Sequence, residues 1–338
     1  MKRLSVFLMV SLTLFALFAG GTAESTSDER VIDELTITFV PSRDTEDIVV
    51  ATAPLGNLLK KELASSGWTV KSVKILVSTS YESAGEALDA GTTDIAFIPA
   101  GTYVKYSDGA EAILTALREG KSIDSSDAKV WNENKPTTSG GSLVVGYRAL
   151  ILSGVTEKGR ALADKVNRGE DLGWEELDAC SWGVGTTTSS AGYIYPSLWL
   201  YGRFGRTVAD LSRAVQTTYA SAFAGLSSGM YDIITCYADA REDYVTKWTQ
   251  EWGRTKSIWD EVDVIGVSDF IMNDTISISR TSTVMQDREF VRALQDAFMS
   301  IAETDEGKTV LKIYNHYGYT EAVDSDYDSA RTAQKIFR

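Results

Sequence analysis

The stretch Ala87-Leu88-Asp89-Ala90-Gly91-Thr92-Thr93-Asp94-Ile95-Ala96-Phe97-Ile98-Pro99 joins the end of a predicted helix to a short buried strand. The helical pattern covers Ser80 to Ala90, and Gly91 supplies its C-terminal stop. Upstream, strand patterns at Leu35–Val40 and Val70–Val77 flank another amphipathic helix. The resulting β-α-β-α-β order is typical of a parallel sheet with helices on its faces, so the fold class is α/β.

A second alternating set of helices and strands follows between Glu157 and Val267. The segment before it, Asp124 to Ser142, is polar and contains Pro and Gly, which predicts a loop. Extended runs at Leu143–Leu152 and Thr275–Ser279 stand at the junctions, and the pattern from Thr283 onward is helical. These features predict two lobes joined by two crossovers. The first lobe takes residues 35–148 and 276–338, and the second takes 149–275.

The composition excludes several classes of function. The chain has 338 residues, with 33 Lys and Arg against 47 Asp and Glu, so its formal net charge is -14. This acidic excess argues against binding to nucleic acid. One His and two Cys cannot build the usual zinc sites and leave little room for a Ser-His-Asp or Cys-His enzyme. We therefore predict no metal, no cofactor and no catalytic residues.

The first 23 residues have the pattern of a secretory signal peptide. A basic start, Met1-Lys2-Arg3, precedes an apolar run from Leu4 to Phe18 and small residues that end at Ala23. An N-terminal membrane anchor is the alternative, although the apolar run is short for a membrane span. We predict an exported protein, without a Cys for lipid attachment at this boundary, and a flexible acidic leader from Glu24 to Glu34.

The two cysteines are predicted to be buried free thiols. An exported protein can form a disulfide, so a bridge between Cys180 and Cys236 has to be considered. Cys180 precedes one predicted strand and Cys236 ends another. If those strands are parallel neighbours, the two sulfur atoms are too far apart to bond.

The segment Trp182-Gly183-Val184-Gly185-Thr186-Thr187-Thr188-Ser189-Ser190-Ala191-Gly192-Tyr193-Ile194-Tyr195-Pro196 places five hydroxyl residues between a strand and a helix. Thr188 or Ser189 would be a good N-cap. Free backbone N–H groups at the helix start, together with serine hydroxyls, suit a tetrahedral oxyanion. An ordinary capped turn is the alternative. Pro196 should kink or shorten the helix, because it lies about two turns into it.

With these motifs in view, the chain resembles the periplasmic phosphonate-binding proteins of ABC importers, the phosphate/phosphite/phosphonate-binding family. The resemblance covers roughly Leu35 to Tyr319 and rests on the order and spacing of five segments. They are Tyr81 followed by Ala87–Phe97, Gly146-Tyr147-Arg148-Ala149-Leu150-Ile151, the Ser189–Pro196 segment, Ala222-Phe223-Ala224 with Gly229-x-Tyr231-Asp232-Ile233, and Ser268-x-x-Ile271-x-Asn273-Asp274. It implies the type II periplasmic-binding-protein fold, in which two α/β lobes, joined by two hinge strands, enclose an interlobe cleft.

The resemblance also implies a role for each matching residue. Ser189, Ser190 and the backbone at Ala191 would hold the phosphonate oxygens, with Thr188 in the same hydroxyl cluster. Tyr81 and Tyr147 would donate phenolic hydrogen bonds from the first lobe. Tyr219 stands where some members have a His. Asp239 and Asp274 occupy positions where acidic residues meet the amine of aminoalkylphosphonates.

The chain departs from the family pattern in ways that bear on the identity of the ligand. Ala191 replaces a third hydroxyl, Tyr219 cannot carry a positive charge near neutral pH, and Asp239 is shorter than the glutamate of some members. Helix capping is the alternative role for Asp239, and an Asx turn is the alternative for Asp274. Neutral hydroxyl and N–H donors would hold the anion without a compensating cation.

Other polar and aromatic residues have simpler interpretations. Phe39, Trp131, Trp199 and Phe270 are expected in core packing rather than in the cleft. His316 is expected at the surface or at an interface.

The resemblance implies a solute-binding protein that closes around a phosphonate and delivers it to an ABC permease. A monomer is expected, as is common in the family. The alternatives are a protein for phosphate, phosphite or sulfonate, or a ligand-sensing partner of a membrane receptor. An enzyme of the same fold is a further alternative, against which the lack of a nucleophile–base pair argues.

Overall fold

The computed structural model describes residues 30–336, so the predicted signal peptide lies outside the described residues. Twelve strands occur in this range. They are β1 (Val31–Phe39), β2 (Thr69–Val77), β3 (Ile95–Ile98), β4 (Ala110–Lys121), β5 (Ser139–Val144), β6 (Gly146–Ser153), β7 (Trp182–Val184), β8 (Ala214–Gln216), β9 (Ile233–Tyr237), β10 (Asp263–Met272), β11 (Thr275–Ser279) and β12 (Gly318–Glu321).

Fourteen α-helices accompany these strands within the described range. They are α1 (Thr45–Thr52), α2 (Leu55–Ser65), α3 (Tyr81–Asp89), α4 (Ala100–Lys105), α5 (Ala128–Glu133), α6 (Glu157–Asn167), α7 (Trp174–Asp178), α8 (Tyr195–Phe204), α9 (Tyr219–Ser228), α10 (Arg241–Gln250), α11 (Ile258–Glu261), α12 (Arg288–Glu303), α13 (Asp305–Leu311) and α14 (Asp328–Ile336). Over residues 30–336, no helix has the length and apolar character that a membrane crossing requires.

The strands form two separate sheets. The first has the order β12-β4-β11-β3-β1-β2, with β5 paired to β4, and the second has the order β10-β6-β9-β7-β8. β1 runs parallel to β2 and β3, as the β-α-β-α-β pattern predicts. β7 likewise runs parallel to β8 and β9, whereas β6 is antiparallel to both of its neighbours. The mixed α/β architecture therefore agrees with the predicted fold class.

The chain passes between the sheets at two adjacent points. It leaves the first sheet at Val145, between β5 and β6, and returns at Asn273 and Asp274, between β10 and β11. The buried Asn273 side chain donates 2.8 Å hydrogen bonds to the carbonyl oxygens of Ala116 and Val144, and its backbone N–H donates to Val145. One amide therefore fastens the two crossover segments to each other and to β4.

Aromatic rings fill the core of the first sheet. Phe39 on β1 stacks on Phe97 of β3 with ring centroids 4.4 Å apart, and Phe97 meets the edge of Phe298 on α12. Trp131 and Trp199 are buried as well, in the clusters around the second sheet. The core-packing expectation is wrong for Phe270, whose surface is 42% exposed. This ring lies on β10, next to the crossover.

Several sequence-based boundaries were wrong. The first strand begins at Val31, so residues 31–34 are not a flexible leader; Ile32 and Leu35 pack into the core. The segment from Asp124 to Ser142 contains α5 and most of β5, rather than being only a loop. The predicted strand Leu143–Leu152 is divided at Val145, where the chain changes sheets. The C-terminal tail contains β12 among its helices.

Both cysteines are free and buried, as predicted. Cys180 precedes β7 and Cys236 lies in β9, and these two strands are parallel neighbours. Burial raises the pKa of the Cys180 thiol to about 11. We expect Ellman's reagent to label neither thiol rapidly in the native protein and to label both after unfolding in guanidinium chloride without a reductant. Recovery of no thiol after unfolding would show a disulfide and contradict this arrangement.

Candidate functional site

A cavity of about 40 Å³ lies between the two sheets, and both lobes contribute to its wall. We call it the inner cavity. Val40, Tyr81 and Pro99 follow β1, β2 and β3, at the edge where the carboxyl ends of these parallel strands meet. The residues that line it are Val40, Ser42, Arg43, Tyr81, Pro99, Arg118, Tyr147, Ser189, Ser190, Ala191, Tyr219, Tyr237, Asp274, Tyr314 and Asn315.

The hydroxyl-rich segment forms one end of the inner cavity. Ser189 is the N-cap of a π-helical turn over Ser190–Ile194, and its Oγ accepts a hydrogen bond from the backbone N–H of Gly192. The turn continues directly into α8. The first N–H groups of a helix have no partner within it, and the two residues that begin this turn, Ser190 and Ala191, line the cavity. The loop therefore presents backbone donors suited to an oxyanion.

Pro196 was predicted to kink or shorten the helix, and the α-helix in fact begins only at Tyr195, after the π-helical turn. The π-helical turn places Pro196 in the first turn of α8 rather than two turns inside a helix. Its missing N–H falls where the π-helical turn gives way to α8, so the change of helix type and the proline coincide. The proline is therefore compatible with the N-terminus that carries the anion loop.

Arg118 on β4 is the main cationic group of the inner cavity. Its Nη2 donates to Asp274 Oδ2 at 2.6 Å, and its guanidinium lies 4.9 Å from the centre of the Tyr147 ring. Its Nε is buried and has no hydrogen-bond partner among the described residues. Burial alone would lower the pKa of Arg118, but Asp274 raises it above the ordinary value. A charged donor is thus available to a bound anion.

A second arginine, Arg43, follows β1 in the turn that also contains Ser42. It forms an ion pair with Asp243 at 2.9 Å and donates a short hydrogen bond to the Tyr237 hydroxyl. Tyr237 Oη in turn donates to Asp243 Oδ2 at 2.6 Å. Arg43 belongs to the first lobe and its partners to the second. The expectation that the cavity lacks a compensating cation is therefore wrong, since two arginines line it.

The tyrosines of the cavity remain protonated hydroxyl donors. Burial raises the pKa values of Tyr81 and Tyr147 well above the ordinary value, and the nearby Asp274 carboxylate adds to the effect. Burial also raises the pKa of Tyr219, although a 3.3 Å hydrogen bond with Ser189 Oγ counteracts part of this. The three predicted tyrosines thus supply neutral donors, whereas the hydroxyls of Tyr237 and Tyr314 already donate to Asp243 Oδ2 and to the Val40 carbonyl.

The structure brings together seven of the nine residues predicted for ligand binding. Those that line the inner cavity are Tyr81, Tyr147, Ser189, Ser190, Ala191, Tyr219 and Asp274. Thr188 is buried but not part of this lining; its Oγ1 donates to Glu82 Oε1 at 3.0 Å. Asp274 is bound to Arg118, and nothing in its described contacts forms the Asx turn considered above.

Asp239 does not reach the inner cavity, because its carboxylate is used elsewhere. It forms a fully buried ion pair with Arg241 at 2.7 Å and accepts a hydrogen bond from Thr137 Oγ1 at 2.7 Å. Its Oδ1 also accepts from the Arg241 backbone N–H at the start of α10. Asp239 therefore has the alternative role, that of accepting a backbone N–H at the start of a helix, rather than contacting an amine of the ligand.

The prediction for His316 was wrong. Its ring is buried, with Nε2 3.4 Å from Asp274 Oδ2 and Nδ1 3.2 Å from the Tyr319 hydroxyl. Burial lowers the pKa of His316, and Asp274 offsets part of that shift. The same neighbours act on Asp274: burial would raise its pKa, but Arg118 and His316 lower it to about 2.

A pH dependence of stability follows from the lowered pKa of His316. Below pH 6.5 the unfolded chain takes up a proton that the folded chain resists, so stability is lost as the pH falls, by at most about 1.4 kcal/mol per pH unit. Urea unfolding at pH 7.0, 6.0 and 5.5 should show this loss in the wild type and a smaller one in His316→Gln. His316 is the single His of the chain, so the variant removes all His titration. Equal pH profiles would contradict the burial of a neutral His316.

Sequence reasoning missed Arg43, Arg118, Tyr237, Tyr314 and Asn315. A signal existed for Arg43, because it follows the end of a predicted parallel strand, where binding residues collect. Arg118 had no comparable signal. It lies inside a strand that the pattern did not reveal, and its partner Asp274 is 156 positions away.

Several contacts cross the cleft and hold the two lobes together in this structure. The Gly101 N–H at the start of α4 donates to Ser190 Oγ at 2.9 Å, and Glu82 on α3 accepts from Thr188. Lys121 on β4 pairs with Glu242 on α10. Ser190 can still donate its own hydroxyl proton into the inner cavity. The lobes are therefore in a closed arrangement around the cavity.

Comparisons with known proteins agree with this architecture. A family model described as "ABC transporter, phosphonate, periplasmic substrate-binding protein" matches residues 37–327. No curated protein sequence matches the chain.

Three solved structures illustrate the similarity in fold. The binding protein component of an ABC phosphonate transporter from Pseudomonas aeruginosa has a TM-score of 0.67 at 14% identity, with 89% of this chain and 85% of that chain covered. PhnD1 from Prochlorococcus marinus, in complex with methylphosphonate, has a TM-score of 0.61 at 13% identity, with 90% and 98% covered. XAC2383 from Xanthomonas citri, bound to ATP, has a TM-score of 0.61 at 12% identity, with 90% and 98% covered.

These likenesses show that the chain has the two-lobe fold of periplasmic binding proteins, as predicted. The family match adds function at the level of the family, whose members bind a phosphonate and work with an ABC permease. It extends from the first strand to the turn before α14. The chain therefore belongs to the family of periplasmic substrate-binding proteins of phosphonate ABC transporters.

Proposed function

We propose that this chain captures a phosphonate with the head group in the inner cavity and presents the closed complex to a membrane permease. The observation that carries the proposal is the buried Arg118 Nε, which has no hydrogen-bond partner within residues 30–336 and belongs to a residue that lines the same cavity as Ser190 and Ala191. A buried donor without a partner is costly, and a phosphonate oxygen would satisfy it.

The charges of the cavity suit an anion in spite of the acidic chain. Arg43 and Arg118 form ion pairs with Asp243 and Asp274. A phosphonate oxygen would share these guanidinium groups with the carboxylates and receive the rest of its hydrogen bonds from neutral donors. Those donors are the tyrosine hydroxyls, Ser189, Ser190 and the loop backbone. Whole-chain charge then affects association rate more than local affinity.

The proposal includes the absence of covalent chemistry. Ser189 and Ser190 are the candidate nucleophiles of the cavity. Their described hydrogen-bond partners are Gly192, Tyr219 and Gly101, none of which is a general base. His316 faces Asp274 and Tyr319 instead. We further propose export through the N-terminal signal sequence and action as a monomer, as the chain's composition and the family role favour.

Thermal stabilisation by ligands tests the proposal. The mature protein is heated with phosphate, phosphite, sulfate, methylphosphonate, 2-aminoethylphosphonate or taurine. A phosphonate at a hundredfold excess over its Kd should stabilise the fold by about 2.7 kcal/mol, through binding to the folded state alone. Ser189→Ala should reduce that shift, since it removes a hydroxyl and the N-cap together. Ala209→Ser, on a turn outside the cavity, serves as a control.

The other compounds separate the alternatives. A shift with phosphate or phosphite but no phosphonate would retain the anion loop and reject a phosphonate ligand. A shift with taurine alone would indicate a sulfonate protein. Release of phosphate from any phosphonate would contradict the proposal that the chain is not an enzyme.

A further inference from the structure

A second and larger cavity, of about 530 Å³, adjoins the inner cavity. We call it the outer cavity. The two cavities meet at four residues that line both of them: Arg118, Tyr147, Tyr237 and Asn315. A ligand whose head group occupies the inner cavity can therefore extend its substituent past these four residues. A methyl or aminoethyl group would leave most of the outer cavity unfilled.

The outer cavity exposes an aromatic ring that is held in position. Phe270 lines it and is 42% exposed, although it lies on a strand whose other apolar residues are mostly buried. The pairing of β10 with β6 is irregular between Val267 and Phe270. The ring rests on Gly146, where an added Cβ would lie 2.3 Å from it. Covering this fixed ring with an apolar group would remove its surface from water.

The same cavity contains an acceptor without a donor. Glu242 lines it, and its Oε2 pairs with Lys121, whereas its Oε1 is buried and has no partner among the described residues. Burial raises the pKa of Glu242, while Lys121 opposes the shift. The neighbouring Asp243 is already satisfied by Arg43 and Tyr237. Glu242 Oε1 can therefore accept a hydrogen bond from an N–H group of a ligand.

We propose that the ligand is a phosphonate with a ring-sized apolar substituent that ends in an amine. Its head group occupies the inner cavity, its ring covers Phe270, and its amine donates to Glu242 Oε1. This inference rests on the proposed function, because it requires the phosphonate head group in the inner cavity. It adds the class of substituent that the protein selects.

Calorimetric titration with a substituent series tests the inference. The probes are methylphosphonate, 2-aminoethylphosphonate, benzylphosphonate and 4-(aminomethyl)benzylphosphonate. We expect benzylphosphonate to bind at least tenfold more tightly than methylphosphonate, and the aminomethyl derivative to bind about tenfold more tightly again. Equal or weaker binding of both ring compounds, with methylphosphonate still bound, would overturn the inference and leave the proposed function intact. Binding of none of the four would overturn both.

Two variants assign the effect to the named residues. Phe270→Ala should remove the advantage of the benzyl group and leave the Kd for methylphosphonate within threefold of wild type. Met230 is exposed and lines neither cavity, so Met230→Ala should leave the Kd values of both compounds unchanged. Glu242→Gln should remove the advantage of the amine. Lys121→Gln breaks the same ion pair but retains the Glu242 carboxylate, so it should preserve that advantage. If the two substitutions reduced binding of the amine equally, Glu242 would act only through the cross-lobe pair and its assigned role would be wrong.

Discussion

Replacing Arg118 with Met is expected to weaken phosphonate binding at least 100-fold. Two losses combine in this variant. The ligand loses a charged donor, which contributes about 1.5–3 kcal/mol in comparable hydrogen bonds. It also meets the carboxylate of Asp274, which Arg118 no longer neutralises. Like charges in a buried site repel strongly, and the lowered pKa of Asp274, to about 2, was maintained chiefly by Arg118.

The double variant Arg118→Met/Asp274→Asn separates the two losses. It removes both charges, so the repulsion disappears and only the loss of the charged donor remains, a weakening of about 12- to 160-fold relative to wild type. Titration calorimetry with methylphosphonate and 2-aminoethylphosphonate measures each Kd, and circular dichroism confirms that each variant is folded. A folded Arg118→Met protein with a Kd within threefold of wild type would remove Arg118 from the site.

Local patterns predicted the parts of this protein that depend on neighbouring residues. The helix Glu157–Asn167 and the strand Thr275–Ser279 have their predicted bounds. Ser189 is the N-cap of the anion loop, because a short hydroxyl before a glycine-containing turn can satisfy a backbone N–H three residues away. Capping hydrogen bonds and the bounds of helices and strands depend on residues only a few positions apart, so a single sequence can predict them.

The electrostatic part of the site depends on contacts between distant segments. Arg118 meets Asp274, and Arg43 meets Tyr237 across 194 positions and across the cleft. Nothing in the local sequence around Arg118 distinguishes it from a surface residue, and for Arg43 the only local signal is its position after a predicted strand. The buried position of His316 has the same origin, since strand β12 carries the chain back beside β4. Family resemblance predicted the hydroxyl donors and missed the cations.

The ion pair of Asp239 was missed although its partner is only two positions away in the sequence. Arg241 follows two positions later, yet the pattern was compatible with a solvent-exposed helix start. Only packing reveals that both side chains are fully buried, with Arg241 also donating to the Val262 carbonyl and lying 4.8 Å from the Trp259 ring. A carboxylate so enclosed cannot turn toward a ligand amine without abandoning a buried guanidinium.

Replacing Asp239 with Ala is therefore expected to destabilise the fold and leave ligand affinity almost unchanged. Removing one partner of a buried pair leaves an uncompensated charge, at a cost of about 3–5 kcal/mol. For a chain of this size that corresponds to a fall in Tm of about 5–8 °C. Asp239→Leu/Arg241→Met, which removes both charges, should recover much of the lost stability, because an apolar pair needs no compensation.

Affinity distinguishes this structural role from a role in binding. At 15 °C, where Asp239→Ala should remain folded, its Kd for 2-aminoethylphosphonate should lie within threefold of wild type. The same holds for methylphosphonate, which has no amine. A variant with an unchanged Tm that lost affinity for the amine compound alone would place Asp239 against the ligand and overturn its assignment to the buried pair. The ratio of the two Kd values decides the matter, since loss of folded protein lowers the amount of active sites equally for both compounds.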